Sequence, residues 1–133
     1  MRKFEMRIHT LILTAVLIAS SSIALAKGGR SDVPVAIETG KPVSCIPIRS
    51  IQESRVRNDG VIDFRVSGKK WYRNTLPYSC PSLGFEEAFS YSTSLSQLCS
   101  VDIISVLRRT GGQLDRGPSC GLGKFQPVEI AKR

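Results

Sequence analysis

Between positions 61 and 66 the chain alternates with period two. Ile62, Phe64 and Val66 fall on one side, while Asp63 and Arg65 fall on the other. That spacing predicts a strand with one buried face. Asn58-Asp59-Gly60 precedes it as a strong turn signal, with Ser54-Arg55-Val56 on the far side. Ser67-Gly68-Lys69-Lys70 then turns the chain into a further apolar run, Trp71 to Leu76. Together these segments predict a three-stranded antiparallel meander.

Beyond Leu76 the pattern is less regular. Pro77, Pro81 and Gly84 make 76–84 a loop, and Phe85 to Phe89 suits one helical turn. Residues 94–106 carry two signals. Leu95, Leu98, Cys99, Asp102, Ile103 and Val106 fit a helical face, with Ser94 and Gln97 in capping-box positions. Val101, Ile103, Ile104 and Val106 are β-branched and favour a strand. We read a tight turn over 94–98, a strand over 99–107, a polar loop over 108–117 around Gly111-Gly112, and a last strand over 120–128. The fold class expected is mainly β: a small single-domain antiparallel sheet or partly open barrel with one short helical turn, stapled by disulfides.

The N-terminus reads as an export signal. Arg2, Lys3 and Arg7 precede the apolar stretch Leu11 to Ile18, and Ala24-Leu25-Ala26 places small residues where a signal peptidase cuts. Cleavage is expected after Ala26, leaving no transmembrane segment and a soluble periplasmic or secreted protein. Residues 27–42 are expected to form a loose leader and 43–133 the ordered domain. The formal net charge of +8 falls to +6 once Arg2, Lys3, Arg7 and Glu5 are removed. A basic exported protein is drawn to anionic surfaces, although charge also serves solubility alone.

Cys45, Cys80, Cys99 and Cys120 all follow the signal, and the one histidine, His9, lies within it. In an oxidising compartment four such cysteines form a disulfide framework with three possible pairings. We favour Cys45 with Cys80 and Cys99 with Cys120, so that each bridge encloses its own subregion. A loop of a few tens of residues closed in this way contributes about 3 to 4 kcal/mol. The cysteines form no Cys-x-x-Cys pair, which argues against redox chemistry. Their wide spacing argues against zinc, and no metal or cofactor is expected.

The cysteine contexts carry a resemblance. Cys45-Ile46-Pro47-Ile48, Tyr72-Arg73-Asn74-Thr75-Leu76-Pro77, Cys80-Pro81-Ser82-Leu83-Gly84-Phe85, Ser96-Gln97-Leu98-Cys99-Ser100-Val101-Asp102 and Cys120-Gly121-Leu122-Gly123-Lys124-Phe125 resemble a family of small exported bacterial proteins classed as a domain of unknown function. The resemblance spans most of 45–128. It implies a Gram-negative, periplasmic origin and supplies no catalytic residue.

Candidate chemistry is sparse. A mature chain without histidine has no Ser-His or Cys-His dyad. Paired carboxylates are formally available in Asp59, Asp63, Glu86, Glu87 and Asp102. Glu86 and Glu87 suit a solvated helical face, and Asp102 on a strand would face solvent or an arginine across the sheet. We therefore expect no enzyme. The one cluster suggestive of binding is Lys69, Lys70, Trp71 and Arg73, where cations interleave with aromatics, although Trp71 and Tyr72 point to opposite faces of a strand. Gly121-Leu122-Gly123 is expected to let the strand pass close to the partner of Cys120. The reading is a non-enzymatic binding module of the cell envelope whose partner is an anionic envelope component. The alternative is an inhibitor or chaperone of another exported protein, with 76–84 or 108–117 as its recognition loop.

Overall fold

The computed structural model describes residues 33–131. The expected signal peptide, its cleavage site and the first part of the leader lie outside them.

The chain runs β1 (Ala36–Glu38), β2 (Cys45–Pro47), a single 3-10 turn (Ile48–Ser50), β3 (Ile51–Asn58), β4 (Val61–Val66), a second 3-10 turn (Ser67–Lys69) and β5 (Lys70–Thr75). It continues with α1 (Leu83–Glu86), β6 (Phe89–Tyr91), β7 (Gln97–Cys99), β8 (Ile103–Thr110), β9 (Gln113–Gly121) and β10 (Phe125–Ile130). All pairings between these strands are antiparallel. They form a five-stranded sheet in the order β1-β10-β5-β4-β3, a three-stranded sheet β6-β8-β9 and a two-stranded ribbon β2-β7. The fold is mainly β, and the sheets do not close into a barrel.

The meander is present as its alternation predicts. At its hairpin the Asn58 side-chain oxygen accepts a hydrogen bond from the Gly60 amide at 2.8 Å, the short-range contact that makes Asn a turn residue. Ile62 and Phe64 are wholly buried and Val66 nearly so. They meet Ile104 and Val106 of the three-stranded sheet, Ile46 and Leu98 of the ribbon, and Leu83 of α1 in one core. Phe64 anchors it, edge-on to Phe89 at 6.3 Å and to Phe125 at 5.6 Å between ring centroids.

Several expectations are corrected. The leader is not wholly loose: Ala36 and Ile37 pair with Ile130 and Glu129, so β1 forms an edge of the large sheet. The strand expected over 99–107 is broken. β7 ends at Cys99, the chain turns, and β8 starts at Ile103. Asp102 makes that turn by accepting the Cys99 amide at 2.7 Å on Oδ2, so it neither faces solvent freely nor pairs with an arginine. Its short side chain competes for backbone donors, which defeats the β-branched signal around it.

The polar loop expected over 108–117 is instead a β-hairpin. Arg108 faces Asp115, Thr110 faces Gln113, and Gly111 and Gly112 form its tip with φ of 58° and 83°. Two consecutive left-handed residues are what a type I′ turn needs, and glycine adopts them without steric cost. Period two was obscured there because every residue from Arg108 to Arg116 is exposed.

The last expected strand divides at 122–124 into the end of β9 and the start of β10. Gly123 serves this crossing, but its neighbour is β5 rather than a cysteine. A Cβ there would collide with the Thr75 carbonyl oxygen. No side chain but hydrogen fits.

The disulfides join Cys45 to Cys99 and Cys80 to Cys120, which corrects the pairing we favoured. Cys45 and Cys99 lie directly opposite in the β2–β7 ladder, with Cα atoms 4.0 Å apart. Cys80 sits in the 76–84 loop against β9, which carries Cys120. The two bridges interleave along the chain, 45 to 99 and 80 to 120, rather than stapling two subregions separately.

Candidate functional site

The two faces of the large sheet differ in chemistry. Its inner face carries the core, whereas Glu53, Asp63, Arg65, Trp71 and Arg73 project from the outer face at positions that the register brings side by side. Asp63 is fully buried there, at 0 % exposure. Arg73 grips it with two hydrogen bonds, Nε to Oδ1 at 2.8 Å and Nη2 to Oδ2 at 3.0 Å, and Arg57 Nε adds a third at 2.8 Å. Glu53 accepts from Arg55 and, at 3.0 Å, from Arg65 Nε. The hydrogen bond from Arg55, reinforced by both arginine charges, holds the Glu53 carboxyl below the usual carboxylate range. Two carboxylates thus stand among four guanidinium groups, and the face is positive on balance.

Trp71 joins this array. The Arg55 guanidinium lies 5.2 Å from the centre of its ring, a cation–π contact that covers one side of the indole.

The expected cluster of Lys69, Lys70, Trp71 and Arg73 is divided by the pleat. Trp71 and Arg73 share the outer face, whereas Lys70 and Tyr72 alternate to the other side, and Tyr72 packs against the core. What reunites most of the cluster is the end of the sheet. β5 begins at Lys70, but its neighbour β10 continues past Val128, the partner of Trp71, to Ile130, paired there with β1. This mismatch in strand length leaves a notch of about 950 Å³ through the sheet's end, where both faces contribute. Lys69, Lys70, Arg65 and Glu129 flank it, and Trp71, Tyr72, Ile37 and Pro127 supply apolar walls.

Lys69 is presented there by an uncommon backbone. Its φ is 62°, next to Gly68 at 77°, so a non-glycine residue is held in the left-handed region. Arg73 stands apart from the notch in a second groove of about 400 Å³ on the outer face, with Lys124, Glu38, Thr75 and Gln126. Val128 lines both hollows, so they adjoin.

Sequence reasoning missed Arg65 and Lys124. Arg65 was visible as the cross-strand neighbour of Trp71 only if the register was followed across the turn at 67–69. Nothing local marks Lys124. Among the described residues no helix is long and apolar enough to cross a membrane. The chain matches no protein-family model, no curated protein and no solved structure.

Proposed function

We propose that this protein is an exported, non-enzymatic binding module of the cell envelope, and that it holds an extended anionic chain along the adjoining hollows. The observation that carries this reading is the pair of lysines, Lys69 and Lys70, at the end of the sheet where Trp71 lines the notch. Glu129 also lines the notch, and across Val128 the outer groove adds Lys124 beside Glu38, while Arg65 and Arg73 are already paired with Glu53 and Asp63. Cations at a groove suit a ligand with repeated negative charge, and a part-exposed indole suits stacking on a ring. Export is supported by the signal-like N-terminus and by two disulfides with no free cysteine among the described residues.

Trp71 is the only tryptophan in the chain, so its fluorescence reports on the notch directly. Titration with heparin, used as a model polyanion at low salt, should change Trp71 emission, and added salt should reverse the change. The K69A/K70A double variant should weaken binding by about tenfold or more, given the usual reach of a few lost charge contacts. Absence of binding to heparin at low salt, or binding unaffected by that double substitution, rejects the reading.

A further inference from the structure

The end of the large sheet opposite the notch carries a feature of complementary shape and charge. Phe85 and Tyr78 are exposed at 86 % and 84 %, the two most exposed aromatic side chains described. Hydrophobic residues scattered singly on a surface need no explanation. These two are different because the segment bearing them is held rigid at a conformational cost. α1 is bracketed by two non-glycine residues in the left-handed region, Ser82 with φ 69° and Glu87 with φ 52°. Such strain persists only where the surroundings over-determine it.

The surroundings do so here. The Gly84 amide donates to Asp59 Oδ1 at 2.7 Å, and the Cys80 amide donates to the Asp59 carbonyl at 2.7 Å. A Cβ on Gly84 would press on the Asn58 backbone at 3.0 Å. Leu83 is wholly buried beneath, and Cys80 is bonded to Cys120. The loop is therefore clamped to the β3–β4 turn with Phe85 held outward and the carboxylates of Glu86 and Glu87 beside it. Basic residues outnumber acidic ones in the chain, 19 to 11, so an apolar knob flanked by two carboxylates runs against its overall charge.

The notch has apolar walls of Trp71, Tyr72, Ile37 and Pro127, and its rim carries Lys69 and Lys70 against the single carboxylate of Glu129, with Arg65 already paired to Glu53. Its volume of about 950 Å³ admits a phenyl side chain with room to spare. Knob and notch also stand at opposite ends of β4, since the turn at 58–60 precedes Val61 and the turn at 67–69 follows Val66. Six residues of strand separate them, roughly 20 Å.

We propose that the occupant of the notch is a second copy of this chain, with Phe85 seated between the apolar walls and Glu86 and Glu87 set against Lys69 and Lys70. Because the two surfaces are different and lie at opposite ends, the contact is head-to-tail. It propagates along the strand direction instead of closing as a symmetric dimer. The contact is small and ionic at its rim, so the association is weak, reversible and sensitive to salt. It goes beyond the polyanion reading and predicts competition with it, since both use the notch.

The test is sedimentation equilibrium of the purified protein from micromolar to millimolar concentration without polyanion. The mass at low salt should rise with concentration beyond that of a dimer, and high salt should return it to the monomer. F85S, K69E/K70E and E86K/E87K should each stay monomeric with unchanged circular dichroism. A mixture of K69E/K70E with E86K/E87K should associate again, because each then offers the other a matched knob and notch. A wild-type protein that remains monomeric at millimolar concentration overturns the proposal, as does F85S associating like the wild type or a mixture that fails to recover. F85S should leave heparin binding intact, so the two readings fail separately.

Discussion

Asn74 and Gly123, 49 residues apart in the chain, exchange two hydrogen bonds as if they were paired strand residues. The Asn74 amide nitrogen donates to the Gly123 carbonyl at 2.7 Å, and the Gly123 amide donates to Asn74 Oδ1 at 2.9 Å. Asn74 is wholly buried, so this side chain satisfies backbone groups that would otherwise lie unpaired where β9 crosses to β10. The crossing in turn positions Lys124 in the outer groove.

Asn74→Ala should destabilise the fold by about 2 to 4 kcal/mol, because it strands a buried donor and acceptor together. Gly123→Ala should be at least as damaging, since its Cβ has no space beside the Thr75 carbonyl. Urea denaturation of both variants checks this, and a loss under about 1 kcal/mol for either would contradict the geometry.

The disulfide pairing can be read directly. No lysine or arginine lies between Arg73 and Arg108, so trypsin alone leaves Cys80 and Cys99 on one peptide. Added cleavage after Glu87 separates them. The peptide ending at Arg49 should then be recovered joined to 88–108, and 74–87 joined to the peptide bearing Cys120. Replacing either cysteine pair with serine should cost about 2 to 5 kcal/mol.

The arginine-clamped carboxylate at Asp63 should be intolerant of one-sided change. Asp63→Ala leaves Arg57 and Arg73, both largely buried, without their partner. A loss of about 3 to 5 kcal/mol is expected from breaking such a buried pair. Asp63→Ala combined with Arg73→Leu should recover part of that loss, and a thermal melt series measures both.

Glu53 makes a pH-dependent contribution of known sign. Its hydrogen bond from Arg55 and the two arginine charges lower its carboxyl pKa from the ordinary 4.5 in the folded chain. The stability this confers is present above that ordinary value and is lost as pH falls through the lowered one. Glu53→Gln should therefore flatten the acid limb of the stability profile and leave its shape above pH 6 unchanged. An acid limb identical to the wild type would show the interaction to be energetically silent.

The elements legible in the chain were those whose burial is one-sided. Ile62, Phe64 and Val66 alternate with polar residues, and the turn signal at 58–60 precedes them, so the meander was evident. The hairpin over 103–121 was not. Its outer half touches nothing, so no alternation records a buried face. Asp102 was misread because its role depends on a single backbone amide, which composition cannot display. Of the candidate site, Lys69, Lys70 and Trp71 were visible as a basic aromatic run, whereas Arg65 comes from β4 and Lys124 from the crossing between β9 and β10.

Local chemistry by itself determined the β class, the central meander, the loop after Leu76 up to the start of α1 at Leu83, and the participation of all four cysteines in a framework. These follow from side-chain period, turn preference and thiol count, which act over a few residues. Tertiary structure alone decided the cysteine partners, the assignment of Arg73 to Asp63, and the notch beside Trp71. Each depends on which distant strands become neighbours and on how far each runs before it stops. Pairing at sequence separations of 54 and 40 is settled by the shared core around Phe64, a quantity that no local window contains.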